Sequence, residues 1–274
     1  MKQKEYQSQE IMPGIWVLYG FSEECCIYVV EGEEKVALID NGMGTGDLHR
    51  AVEKLAPGKP VVAINTHCHF DHSAGNFQFP EVYMHPSCWP DQDETESSPC
   101  PREVEYEDLP RYNTKRIPVH EGDVFDLGGV TLEVIETPGH TPGCICLLDR
   151  KHRVIFGGDM IGSNAHNVWM LRSLPWVTFS TVSMECYLRS LRKVEKLDEA
   201  YDGFLGGHDR YILGKEYLRE LIRMAESIID GTARPYHPEM LSPPGQPPVV
   251  CWKLDGVTVP TAILYQDEVI FDRK

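Results

Sequence analysis

Four potential metal ligands occupy one six-residue segment, which has the sequence His-Cys-His-Phe-Asp-His and runs from His67 to His72. The segment directly follows the apolar residues 61–66, which have the composition of a short buried strand. In an extended chain His67 and His69 point to the same side, whereas Asp71 and His72 come after the chain has turned. One ion is not expected to use all four donors, so the spacing predicts a site for two metal ions.

Three further donors occur in similar settings along the chain. His140 lies in a Thr-Pro-Gly-His-Thr-Pro-Gly turn after the apolar residues 130–135, and Asp159 follows an apolar strand and a Gly-Gly pair. His208 also follows an apolar stretch and a Gly-Gly pair. Glycine-rich loops at strand ends allow close backbone approach, so these donors are expected on one shared rim of a sheet.

Each of these motifs, taken singly, is as well explained by an ordinary turn with a solvated polar tip. Their order, and the strand before each one, favour the metal site over this structural alternative. The remaining histidines have no partner at ligand spacing, except that His166 follows the Asp159 loop and is a candidate for the pocket. The histidines expected to be structural are His49, His85, His120, His152 and His237.

The motifs HCHFDH, TPGHTPG, GGD and GGH, in this order, resemble those of the metallo-β-lactamase-fold hydrolases, especially the glyoxalase II-like and general hydrolase branches. The resemblance runs from about residue 15 to about residue 229 and implies an α/β fold of the αββα sandwich type. It implies two ligand sets with a bridging Asp159. The first set is His67, His69 and His140, and the second is Asp71, His72 and His208.

This ligand set predicts a hydrolase of a small ester, thioester or lactone. Two divalent ions would share a water, lower its pKa and direct the resulting hydroxide at a carbonyl carbon. Asp71 is the predicted catalytic residue, because it could accept a proton as well as bind metal. Zinc is the default ion, although histidine and carboxylate donors also suit iron or manganese. By the resemblance, Asp40 supports the metal loop without touching metal.

Two alternatives share the predicted scaffold. One is a metal-dependent phosphodiesterase or nuclease, and the other is a mononuclear iron enzyme similar to persulfide dioxygenases. The formal charge of −16 argues against a nucleic-acid partner, because such binding relies on a basic surface. Met160, Ile161 and Gly162 follow Asp159, and the tyrosine that many acyl-homoserine lactonases have three residues after this aspartate is missing. No Arg/Lys cluster near the C-terminus suits glutathione, since Lys253 is isolated.

Length and composition predict one large core, since the 274 residues are 42% hydrophobic and no low-complexity linker divides them. The predicted division is a catalytic domain over residues 1–232 and a β appendage over residues 233–274, packed on that domain or on a partner subunit. Helices are expected at 45–55, 181–197 and 215–229, and strands at 15–19, 25–30, 36–39, 249–252, 257–264 and 268–271.

Two insertions interrupt this pattern. Residues 86–110 are acidic and carry several prolines, which leaves a substrate lid, an oligomer contact and a plain surface excursion as alternatives. Residues 163–179 begin directly after the Asp159 loop and are the best candidate for a pocket lining. The predicted substrate-binding residues are His166, Trp169, Met170 and Trp176.

The nine cysteines lack the spacing of a disulfide framework and are expected to be free, mostly buried thiols. The N-terminal residues contain no apolar signal core, and no apolar run is long enough to span a membrane. The sequence therefore predicts a cytoplasmic protein that acts on a small molecule, with no nucleic-acid or membrane partner. Assembly into a homo-oligomer stays open.

Overall fold

The computed structural model describes residues 5–20, 25–90, 109, 111–162, 167–170, 173–174, 177–178, 181–233, 250–253, 262–265 and 270–272. Between residues 167 and 178, and at 250–253, only the backbone is described. The chain forms two compact units. The first comprises Met1–Val134 and Leu147–His152, and the second comprises Ile135–Cys146 and Arg153–Lys274. The predicted division at residue 232 stays a prediction.

The first unit contains a seven-stranded sheet in which the strands follow one another in chain order. Its strands are β1 (Gln7–Met12), β2 (Ile15–Tyr19), β3 (Ile27–Glu31), β4 (Val36–Ile39), β5 (Val61–Ile64), β6 (Glu81–Met84) and β7 (Lys115–Pro118). Its helices are α1 (Leu48–Leu55) and α2 (Phe70–Ser73), with 3-10 turns at Ala74–Gln78 and Pro86–Cys88.

Parallel pairing in this sheet brings the metal-ligand segment beside Asp40. Strands β4 to β7 run parallel, and Ile39 of β4 is in register with Ile64 of β5. The residues that follow these two strands therefore leave the sheet at the same edge. They are Asp40 after β4 and the segment beginning at Asn65 after β5.

A second, six-stranded sheet has the order β16-β15-β11-β10-β9-β8. Its strands are β8 (Val124–Asp126), β9 (Thr131–Glu136), β10 (Ile145–Asp149), β11 (Val154–Gly158), β15 (Gly203–Gly206) and β16 (Ile212–Gly214). The second unit contains helix α3 (Met184–Glu195), a 3-10 turn at Asp198–Ala200 and helix α4 (Lys215–Ile229), and the two helices pack against each other.

The C-terminal strands pair within the second unit. Strands β12 (Asn167–Met170), β17 (Val250–Lys253) and β18 (Ala262–Tyr265) form a three-stranded sheet with β18 in the centre, where β12 is parallel to it. Strands β13 (Ser173–Leu174) and β14 (Val177–Thr178) form a separate pair. The segment 163–179 thus contains short strands, although its sequence shows no strand period.

The predicted strands 15–19 and 36–39 and the predicted helix 215–229 match the structure. The other two predicted helices were three residues too long at their N-termini, and the predicted helix 181–197 was also too long at its C-terminus, since it ends at Glu195. Asp47 and Ser183 accept hydrogen bonds from backbone amides three residues on, so the helices begin at Leu48 and Met184. Strand β1 was missed, and residues 270–271 of the predicted strand 268–271 form a bend.

The predicted strand at residues 61–66 ends at Ile64 because the backbone amide of Thr66 donates to the carboxylate of Asp40 at 2.7 Å. The described cysteines are free, as predicted, and all but Cys186 are buried. Among the residues described, none of the helices has the length and apolar character needed to cross a membrane.

Candidate metal centre

The turn after His69, expected from the sequence, is the start of helix α2. His69 is the residue before the helix and has extended backbone angles, with φ −62° and ψ 149°. The backbone amides of His72 and Ser73 both donate to the His69 carbonyl at 3.0 Å. The Ser73 hydroxyl also donates to the carbonyls of Cys68 and His69 at 2.9 Å. These bonds fix the conformation of the ligand segment.

Three imidazoles of this segment lie together in the first unit. The ring centroid of His67 is 4.8 Å from that of His69 and 4.1 Å from that of His72. Asp71 Oδ2 is 3.6 Å from His72 Nε2. Two ligand atoms of one tetrahedral zinc ion lie roughly 3.3–3.6 Å apart, as follows from bond lengths near 2.1 Å. The spacing of Asp71 and His72 therefore fits a shared ion.

Asp40 contacts the ring of His72 and is almost completely buried. Its φ of +60° is unusual for a residue other than glycine and marks a locally strained backbone. Asp40 Oδ2 is 2.8 Å from Nδ1 of His72, and a carboxylate can only accept in such a contact. His72 therefore carries its proton on Nδ1, which leaves Nε2 with a lone pair for a metal.

Two buried cysteines lie in or near the ligand segment. Cys68 is buried in a small cluster with Met84, Cys88 and Trp89. Cys25 lies near His72 and Asp40, and burial raises the pKa of its thiol. Donor atoms of Cys25, Asp40 and His72 all lie within 4.8 Å of one another, so this part of the first unit offers a buried sulfur beside nitrogen and oxygen donors.

In the second unit Asp159 lies between two histidines. Its Oδ2 is 3.6 Å from His140 Nε2, and its Oδ1 is 3.4 Å from His208 Nε2. Asp159 and His140 are buried, and His208 is 15% exposed. Both oxygen–nitrogen distances match the separation of two ligand atoms on one ion. Each carboxylate oxygen lies near a different histidine. This geometry suits a carboxylate that bridges two ions.

Parallel pairing of β11 with β15 positions Asp159 and His208. Gly158 is in register with Gly206, and the loops that follow are joined by two backbone bonds. The Gly207 amide donates to the Gly158 carbonyl at 3.0 Å, and the His208 amide donates to the Gly162 carbonyl at 3.3 Å. A Cβ on Gly206 would lie only 2.5 Å from the Gly162 carbonyl oxygen. Glycine at this position is what allows the two ligand loops to meet.

Helix α3 forms hydrogen bonds with the turn before His140 and with the loop after Asp159. The Ser190 hydroxyl donates to the Pro138 carbonyl at 2.7 Å. The Tyr187 hydroxyl donates to the carbonyl of Met160 at 3.2 Å, and Met160 directly follows Asp159. Sequence reasoning missed Tyr187 and Ser190. A helical pattern does not show that these two hydroxyls bond to loop carbonyls 27 and 52 residues earlier in the chain.

We expect Gly139→Ala to displace the loops that carry His140 and Asp159. A Cβ at this position would lie 2.4 Å from Met160 Sδ and 2.7 Å from Tyr187 Cδ2. Overpacking of this kind costs about 1–3 kcal/mol, and here the strain falls on two candidate ligands. Urea unfolding should show the stability loss, and elemental analysis should show reduced metal content.

Gly231→Ala is the matched control, because it places alanine at a φ of +74° with open space around the Cβ. It should cost about 1–2 kcal/mol from backbone strain alone and leave metal content unchanged. Normal metal content in Gly139→Ala would show that this contact does not position the ligands.

Two of the four predicted substrate-binding residues, Trp169 and Met170, belong to strand β12. His166 and Trp176 lie outside the described residues, and for Trp169 and Met170 only the backbone of β12 is described. Their role stays a prediction. A residue that sequence reasoning passed over is Phe70, which lies between His69 and Asp71 and is 42% exposed.

A family model described as the metallo-beta-lactamase superfamily matches residues 24–208 of the chain. Acyl-coenzyme A thioesterase MBLAC2 of Gallus gallus is 31% identical over 224 residues, which cover 70% of this chain and 77% of that protein. Hydroxyacylglutathione hydrolase GloC of Haemophilus influenzae is 27% identical over 157 residues, which cover 56% of this chain and 71% of that protein.

Persulfide dioxygenase ETHE1 of Bos taurus is 27% identical over 146 residues, which cover 52% of this chain and 50% of that protein. Among solved structures, a metallo-beta-lactamase from Pontibacter korlensis superposes with a TM-score of 0.60 at 16% identity, covering 81% of this chain and 99% of that chain. The likeness to this structure concerns the fold alone, and it confirms the predicted αββα sandwich.

Proposed function

Because the chain belongs to the metallo-β-lactamase superfamily, we propose that it is a metal-dependent hydrolase of acyl thioesters. The observation that carries the metal-dependent part is Asp159, whose two carboxylate oxygens each face a different histidine within the second unit. The thioester is proposed from the relatives, since one is named an acyl-coenzyme A thioesterase and another a hydroxyacylglutathione hydrolase.

The proposed centre holds two divalent ions, and zinc is the proposed metal. The assignment follows the order of the family motifs and is supported by the donor spacing within each unit. His67, His69 and His140 would hold one ion, Asp71, His72 and His208 the other, and Asp159 both. Bound ions would supply a nucleophile from water at neutral pH and polarise the carbonyl oxygen of the substrate.

Asp71 is the proposed general base. Its side chain is 18% exposed, whereas the neighbouring His72 is fully buried, so a water molecule can reach the carboxylate. A carboxylate that accepts the proton of the attacking water typically contributes a factor of ~10²–10⁴ to the rate. His72 is proposed to bind metal only, because its Nδ1 is held by Asp40.

We propose an apolar acyl group as the part of the substrate nearest to the metal segment. Phe70 lies between two proposed ligands and is 42% exposed, and an acyl chain that covered its ring would stabilise the complex by burying apolar surface. The net charge of −16 disfavours a polyanionic nucleic acid. The proposed partner is therefore a small thioester.

A parallel assay of a coenzyme A thioester series, a lactone series and bis(p-nitrophenyl) phosphate tests this function. We expect turnover of thioesters that improves from acetyl to longer acyl chains and changes little with added salt. Cleavage of the phosphodiester or of RNA, with a steep inverse salt dependence and no thioester turnover, would replace the proposal with the phosphodiesterase alternative.

The second candidate is a persulfide dioxygenase, which the similarity to ETHE1 supports. It predicts one iron ion per chain and oxygen consumption with glutathione persulfide. The thioester hydrolase predicts two ions per chain and no oxygen consumption. Elemental analysis and an oxygen electrode on the same preparation separate these outcomes.

A further inference from the structure

Thr66, the residue directly before the ligand segment, is buried and contacts two side chains of the candidate centre. Its hydroxyl lies 2.8 Å from Asp40 Oδ2 and 3.2 Å from His67 Nδ1. Its backbone amide donates to the other oxygen of Asp40. The side chain of Thr66 therefore lies between the carboxylate and the imidazole.

Hydrogen-bond chemistry fixes the direction of these contacts. The ionised Asp40 carboxylate can only accept, so the single hydroxyl hydrogen of Thr66 points to Asp40. The same hydroxyl oxygen can then only accept from His67 Nδ1, which must carry the imidazole hydrogen. The lone pair of His67 is consequently on Nε2, a nitrogen that is buried from solvent.

We propose that Thr66 is a positioning residue that sets the tautomer and ring orientation of His67 for metal binding. Asp40 acts directly on His72 and, through the Thr66 hydroxyl, on His67. One buried carboxylate thus places the proton on Nδ1 and the lone pair on Nε2 in two imidazoles of the segment. The proposal rests on the proposed metal-dependent function and adds a residue that controls the affinity of the site.

Thr66→Val tests the proposal because valine keeps the branched shape and loses the hydroxyl. We expect zinc affinity, measured by competition with a chromophoric chelator, to fall by about 10–100-fold, the usual effect of removing a hydrogen-bond partner of a metal-binding histidine. Thr66→Ser retains the hydroxyl and should bind zinc with nearly the affinity of the wild type.

Thr114→Val is the matched control. The Thr114 hydroxyl likewise has two hydrogen-bond partners in the same unit, the carbonyls of Asn76 and Phe79 at 2.9 Å, which share its single hydrogen. Its loss should lower stability and leave zinc affinity unchanged. A general effect of removing a hydroxyl would instead weaken zinc binding in both valine variants, which would overturn the proposal.

Nitrogen NMR of the His67 ring in zinc-free wild-type protein is a second test, which does not require the variant to fold. The proton is expected on Nδ1, and its presence on Nε2 would overturn the proposal. Unchanged zinc affinity in folded Thr66→Val would also overturn it, while the proposed hydrolase would stand if wild-type protein binds zinc and cleaves thioesters. A wild type that binds no zinc overturns both.

Discussion

Asp71→Asn should lower kcat by about 10²–10⁴-fold with little change in the fold. The amide keeps the size of the carboxylate but cannot accept a proton from water, and it binds a cation less strongly. The partial exposure of Asp71 places it where water can arrive, 3.6 Å from the Nε2 atom of His72. Turnover of the best thioester should be compared at matched zinc content, so that metal loss and base loss are separated.

Asp47→Asn is the appropriate control for this exchange. Asp47 caps helix α1 by accepting from the Arg50 amide at 2.9 Å, and asparagine caps helices about as well as aspartate. The control should retain wild-type turnover and stability. Near-normal kcat in zinc-loaded Asp71→Asn would show that another group accepts the proton.

The candidate ligands could be identified from the sequence because their signals are local. His67, His69, Asp71 and His72 sit in one segment, and the glycines before Asp159 and His208 mark tight loops at strand ends. The ends of the strands at 15–19 and 36–39 were predictable because these apolar runs stop where polar and glycine residues begin. The prediction of two ions came from the spacing within the segment from His67 to His72, and the assignment of ligands to each ion came from the order of the family motifs.

The supporting contacts could not be predicted in the same way, because they join residues that are distant in sequence. The family resemblance led us to expect that Asp40 supports the metal loop, but its partners Thr66 and His72 follow from the parallel pairing of β4 and β5 with Ile39 opposite Ile64. Tyr187 reaches the Asp159 loop from a helix whose apolar period predicts burial but not a hydrogen-bond partner. The exposure of Phe70 could not be predicted either, because it depends on which elements pack nearby in the fold. From sequence alone, an aromatic side chain is usually expected to be buried.

Removal of metal should abolish thioester turnover and lower the melting temperature by about 5–15 °C. Ligands that bind only the folded state stabilise by about 2.7–4.1 kcal/mol at 100–1,000 times their Kd, and a chain of this size shifts by roughly 2–4 °C per kcal/mol. The donors within each unit lie 3.4–3.6 Å apart, which is the separation expected of two ligand atoms on one ion, so a bound ion would join them in the folded state. Dialysis against a chelator followed by differential scanning calorimetry measures this effect.

Titration of zinc back into the metal-free protein tests the stoichiometry. Asp159 presents one oxygen to His140 and the other to His208, so two ions per chain should be needed before turnover is fully restored. A melting temperature that recovers in two steps, with most of the turnover returning in the second, is the expected course. If one equivalent restored full turnover, Asp71 would not need to bind a second ion and the proposed two-ion centre would be wrong. Restoration by iron alone, together with oxygen consumption, would instead favour the dioxygenase.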